Sequence, residues 1–230
     1  MKFFPALNEF RQLAKIHNLV PVVTKVATDM ETPVSLYYKL VAGAEGYILE
    51  SADSSKSFGR YSIIGLQPFA HLSLYRDYTE VRAETETEII NGDPLTVLPE
   101  FMSRFSLPDL PGLPAFSGGA VGYLTYEAVA TWERVIGKIV PAGLVLGEFY
   151  FCRCLIIMDH LTNSTSFLTL VPIRPEDSPE RKYAAAQTQL VELVGKLKTT
   201  VFAPPAAEFR ADEADNQEIS GPDRALYEHL

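Results

Sequence analysis

Basic runs are missing from this 230-residue chain, and the partners that need them are excluded with them. The formal net charge is −9. Clustered Lys and Arg are what a phosphate backbone or an anionic membrane surface attracts, so neither nucleic acid nor membrane is expected as a partner. No apolar stretch approaches the roughly 20 residues that span a bilayer. The opening Met1-Lys2-Phe3-Phe4-Pro5 breaks at once and runs into Asn8, Glu9, Arg11 and Gln12, which is not the pattern of a secretory leader. Cysteine is scarce: Cys152 and Cys154 alternate inside an apolar strand pattern. Alternate strand residues share a face, and two reduced, buried thiols fit better than a metal or redox pair. These absences together predict a soluble, cytoplasmic protein.

Motifs of catalysis are also missing. No Gly-x-Ser-x-Gly elbow and no Cys/His pairing suggests a nucleophile. Gly118-Gly119-Ala120-Val121-Gly122 lacks the Lys-Ser/Thr of a phosphate loop and the G-x-G-x-x-G spacing of a dinucleotide site. Close backbone packing beside a sheet, or the wall of a ligand slot, suits those glycines better. His17, His71, His160 and His229 show no metal-ligand spacing. No catalytic residue, metal site or cofactor is therefore assigned to this chain.

What remains is ordinary globular material, with 47% hydrophobic and 21% charged residues, enough to bury a sizeable core. Apolar spacing predicts helices over 7–16 and from Thr32-Pro33 to Gly43. Two more open at Asp93-Pro94 and at Ser178-Pro179. Strands are expected at 19–26, 46–51, 60–65, 69–76, 80–83 and 86–90. Two further runs, 147–159 and 166–171, read as a hairpin turning at Leu161-Thr162-Asn163-Ser164. Helices fall between groups of strands rather than after each one. That predicts an α+β fold of largely antiparallel sheet in a sandwich-like core flanked by helices, with more than one sheet to hold the strands. Residues 1–203 read as one domain and 204–230 as an acidic tail after Pro204-Pro205.

One stretch points to recognition rather than bond-making. Leu49-Glu50-Ser51-Ala52 ends an apolar strand in a carboxylate and a hydroxyl, and Arg60-Tyr61-Ser62 opens the next strand with a guanidinium and another hydroxyl. A carboxylate pairs with an ammonium group, and arginine or serine holds a carboxylate. Such a set suits a free amino acid, with Leu49 and its neighbours supplying an apolar slot. The plainer alternatives are that Glu50 ends its strand in solvent and that Arg60 forms a surface salt bridge. Arg60 has two further options, a ligand carboxylate or Glu50.

Several of these segments occur together in a known order. They are Thr32-Pro33-Val34-Ser35, Tyr47-Ile48-Leu49-Glu50-Ser51, Arg60-Tyr61-Ser62-Ile63-Ile64-Gly65, Gly118-Gly119-Ala120-Val121-Gly122-Tyr123, Tyr126-Glu127 and Met158-Asp159-His160. The set resembles the N-terminal domain of anthranilate synthase component I, over roughly residues 5–200. The resemblance implies an enzyme that makes anthranilate and pyruvate from chorismate, using ammonia that a glutamine amidotransferase subunit releases from glutamine. It also implies feedback by L-tryptophan at the positions of Leu49, Glu50, Ser51, Ala52, Arg60 and Ser62. In the family a second domain binds chorismate and magnesium, and nothing in this sequence matches it. Ile219-Ser220-Gly221 and the run Asp223–Leu230 look like two pieces of that domain placed side by side, so a truncated, internally deleted or engineered chain is expected. Two alternatives stay open: a non-catalytic docking module for the amidotransferase, and the equivalent domain of para-aminobenzoate synthase component I.

Overall fold

The computed structural model describes residues 1–50, 60–83, 86–114, 116–133, 140–141 and 143–198. The acidic tail, Ser51 and Ala52 lie outside the described residues.

Three of the helices begin the same way, and the sequence says why. A short polar residue caps the free N–H groups, and a proline whose missing N–H costs nothing fills the first turn. In α2 (Pro33–Val41) the Thr32 hydroxyl accepts from the Ser35 N–H, and the Ser35 hydroxyl accepts from the Thr32 N–H. In α3 (Pro94–Ser103) the Asp93 carboxylate accepts from the Leu95 N–H at 3.0 Å. The helix Pro179–Gly195, called α4 here, is capped by Ser178. The first helix, α1 (Leu7–Leu13), is shorter than its periodicity predicts. Its last turn tightens, with Ile16 and His17 N–H both donating to the Leu13 carbonyl.

Eight described strands make one antiparallel sheet: β1 (Leu19–Val26), β2 (Gly46–Glu50), β3 (Tyr61–Leu74), β4 (Tyr78–Ala83), β5 (Thr87–Asn91), β6 (Val121–Leu124), β7 (Gly147–Asp159) and β8 (Ser164–Pro172). The expected α+β class holds, but the strands do not divide into separate sheets. The reason is length. β3 and β7 pair along their whole course and act as a shared spine. At one end β2 flanks β3 while β8 and β1 flank β7; at the other end β4 and β5 extend from β3 while β6 lies on β7.

The two strands expected at 60–65 and 69–76 are thus one strand with a bulge. The register slips by one residue between Pro68 and Ala70, and Gln67 has φ 56°. Proline cannot donate to the ladder, so the strand absorbs it by bulging. The slip also exchanges the faces. Before it, Ile64 and Leu66 pack with Phe10, Leu36, Leu40 and Leu190 under α1, α2 and α4. After it, Ala70, Leu72 and Leu74 pack with Phe101, Ala128 and Phe151 under α3 and a 3-10 turn at Tyr126–Thr131. Leu155, Ile157, Leu168 and Leu170 form a third cluster on the same side as the second, joined to it through Phe69 and Phe105. Helices therefore cover both faces of one curled sheet.

Both cysteines are free and buried. Burial pushes the Cys152 thiol up to about 12 and Cys154 to about 11. They fall in different core clusters, Cys154 under the helices and Cys152 opposite, instead of sharing a face, because the bulge in β3 lies alongside this stretch of β7. Gly122 needs to be glycine: a Cβ there would stand 1.9 Å from the Glu148 carbonyl oxygen.

Candidate functional site

Register places the candidate residues. Glu50 on β2 faces Ser62 on β3, Ser62 faces Met158 on β7, and Met158 faces Thr165 on β8. Directly paired residues in neighbouring strands share a face, about 4.7–4.9 Å apart per strand. The four make a single row across the end of the sheet. Glu50 is its exposed tip, and Ser62 is buried within it.

Polar contacts fix the middle of the row. The Ser62 hydroxyl lies 2.7 Å from His160 Nε2. The His160 N–H donates to the Arg60 carbonyl at 2.9 Å. Arg60 forks onto Asp159, with Nε donating to Oδ1 at 3.0 Å and Nη2 to Oδ2 at 2.8 Å. The guanidinium hydrogen bonds hold the Asp159 carboxyl far below the usual carboxylate range. Asp159 Oδ1 also accepts from the Leu161 N–H at 3.0 Å, which fixes the start of the β7–β8 turn.

A cleft of about 390 Å3 opens on the same end of the sheet. Met158 and Thr165, two members of the row, line it together with Thr28, Glu31, Thr32 and His160. Thr28 and Thr165 are joined through their hydroxyls. Glu31 is paired with Lys39 of α2. The walls thus offer hydroxyls and carboxylates over one thioether: a surface for a cationic or hydrogen-bonding group.

The sequence-predicted residues separate on inspection. Glu50 and Ser62 come together as a cross-strand pair. Leu49 is 44% exposed and pairs with Ile63, so it points to the sheet face opposite Glu50. Arg60 does not pair with Glu50; Asp159 takes it in a two-point fork. Ser51 and Ala52 lie outside the described residues. The residues that sequence reasoning left without a role are Asp159 and His160. Both follow a long apolar strand, but only the β3–β7 pairing puts them beside Arg60 and Ser62. Among the described residues no three His, Cys, Asp or Glu side chains meet as metal ligands.

No family model matches the chain. Several relatives nevertheless share one name. It is 33% identical over 222 residues to anthranilate synthase component 1 of Acetivibrio thermocellus, covering 95% of this chain and 42% of that protein. It is 39% identical over 210 residues to the protein of the same name from Neisseria meningitidis serogroup B, covering 88% of this chain and 42% of that one. The Pseudomonas aeruginosa protein of that name is 32% identical over 200 residues. The chain belongs to the anthranilate synthase component I family. It spans about two fifths of the length of the relatives it matches. Among solved structures, anthranilate synthase component I from Streptococcus pneumoniae TIGR4 aligns with a TM-score of 0.44 and 21% identity, over 76% of this chain and 37% of that one. The segments that carried the resemblance map onto α2, β2, β3, β6, the 3-10 turn and the end of β7, of which β3 and β7 form the spine of the sheet.

Proposed function

We propose that this chain is the N-terminal regulatory part of an anthranilate synthase component I, an enzyme that turns chorismate and glutamine into anthranilate, pyruvate and glutamate, and that it takes L-tryptophan as a feedback inhibitor. The single observation behind the site is the row that sets the Glu50 carboxylate at an exposed strand tip beside the buried Ser62, whose hydroxyl meets the exposed His160. Glu50 receives the ligand ammonium, and Ser51, the next residue, contributes a hydroxyl. Arg60 is committed to Asp159, so it stiffens the edge of the site and leaves the ligand carboxylate to hydroxyl and backbone donors.

Inhibition then follows from a shift in population. Tryptophan binds one arrangement of this unit against the catalytic remainder better than another, and the preferred arrangement is less active. Only differential affinity produces such coupling, typically about 1–3 kcal/mol. Chorismate and magnesium belong to the remainder of the enzyme, and ammonia comes from a glutamine amidotransferase subunit.

Calorimetric titration with L-tryptophan tests this. Saturable heat is expected, and Glu50→Ala should weaken binding about 10- to 100-fold, the cost of losing a charged hydrogen bond of about 1.5–3 kcal/mol. A folded sample that takes up no heat at millimolar ligand refutes the reading. One observation supports a second role. Tyr126 and Trp132, beside the glycine-rich segment, are 89% and 65% exposed, which suits a docking module for the amidotransferase. That alternative predicts co-elution with the subunit and no response to tryptophan.

A further inference from the structure

The edge strand β1 carries a second concavity. It pairs with β8 on one side. On the other side the start of the chain adds a single bridge: the Phe4 N–H donates to the Val23 carbonyl at 2.9 Å, and the Val23 N–H donates to the Phe4 carbonyl at 2.7 Å. Two residues further along that antiparallel register, Lys2 comes opposite Lys25. The Thr24 hydroxyl donates to the Lys2 carbonyl at 2.8 Å and holds the segment along the strand. Side chains two apart in an extended chain share a face, so Lys2 and Phe4 line up with Val23 and Lys25. A cavity of about 600 Å3 opens among these four side chains, with Gly112 of the proline-rich link at its rim. A Cβ on Gly112 would meet nothing within 4 Å, so the rim is open. Val23 is buried and Phe4 half-buried, and both belong to the third core cluster, which gives the slot an apolar floor. Both lysines are exposed. Among the described residues no ion pair engages either ammonium, and no acidic residue lines the cavity.

We infer that this slot binds a small aromatic carboxylate, with the ring on Phe4 and Val23 and the carboxylate between the Lys2 and Lys25 ammonium groups. Like charges directly opposite each other on neighbouring strands repel, and an anion placed between them removes that repulsion. The net charge of the chain is −9, so an uncompensated cationic pair is a local exception that draws anions to one place. Neither lysine belongs to a basic run in the sequence; only the Phe4–Val23 bridge brings them together. Ligand sites combine an apolar surface with a few polar groups that fix orientation, and the volume exceeds the roughly 150 Å3 that a benzene ring needs. The slot shares no residue with the Glu50–Ser62 row, so it stands or falls apart from the tryptophan site.

The test uses the chain with 13C-labelled valine methyl groups, titrated with benzoate and with its neutral and cationic counterparts, benzamide and benzylamine. Saturable shifts are expected at Val23, with affinity falling from benzoate to benzamide to benzylamine and the benzoate affinity falling as salt is raised. Saturating L-tryptophan should leave the Val23 signals unchanged. Lys2→Gln and Lys25→Gln should each weaken benzoate by about fivefold, the size of an exposed ion pair, and leave benzamide alone. The double variant should bind benzoate and benzamide equally. The proposal is overturned by Val23 shifts that do not saturate, by equal affinity for all three probes, or by benzoate binding that survives unchanged in the double variant. Should a variant fail to fold, the order of the three probes on the unmodified chain decides.

Discussion

Asp159 is worth more attention at the residue scale than the sequence suggests. Its carboxyl titrates far below normal because the Arg60 guanidinium forks onto it. A carboxylate with a depressed folded-state pKa stabilises the fold fully above its unfolded value, about 3.9, and that stabilisation is lost as pH falls from there toward the folded value. Asp159→Asn should therefore lower the melting temperature by a few degrees at neutral pH. The deficit should shrink steadily as pH drops below about 4. Thermal melts at a series of pH values check this; a deficit that stays constant with pH would mean the ion pair is not its origin.

At the scale of elements, the capping residues and one cross-strand pair carry measurable stability. Thr32 and Ser35 exchange hydrogen bonds at the start of α2. Thr32→Ala should cost about 1 kcal/mol in chemical denaturation, with no change in the denaturant slope. Gly65 pairs with Tyr47 across β2 and β3, and a Cβ at Gly65 would stand 2.2 Å from the Tyr47 ring. The ring occupies the space beside the glycine, so Gly65→Ala should destabilise by about 1–3 kcal/mol through overpacking. Tyr47→Ala combined with it should recover part of that loss by freeing the space. These two sites differ in kind: the cap is local and readable as Thr-Pro-x-Ser, while the Tyr47–Gly65 pair depends on strand register.

For the whole molecule, the decisive fact is length. The chain spans about two fifths of its relatives, and the activity of the family is expected to need the remainder. Incubated alone with chorismate, ammonia and magnesium, it should form no anthranilate above background, measured by product fluorescence. Turnover by the purified chain would overthrow the division of labour proposed here. Trp132, the single tryptophan, is 65% exposed, so its emission should sit at the wavelength of a solvated indole.

Local chemistry alone determined the helix starts at Thr32-Pro33, Asp93-Pro94 and Ser178-Pro179, the strand 19–26, the β7–β8 hairpin and the antiparallel α+β class. Caps, turns and alternation act over a few residues and leave their mark in the order of the chain. Tertiary structure decided the rest. Pro68 reads as a break, yet the pairing of β3 with β7 on both sides of it carries the strand through as a bulge. That same pairing brings Asp159 to Arg60 across 99 residues and His160 to Ser62 across 98. Hydrogen-bond register between distant strands is set by which faces must be buried together, and no spacing along the chain encodes it.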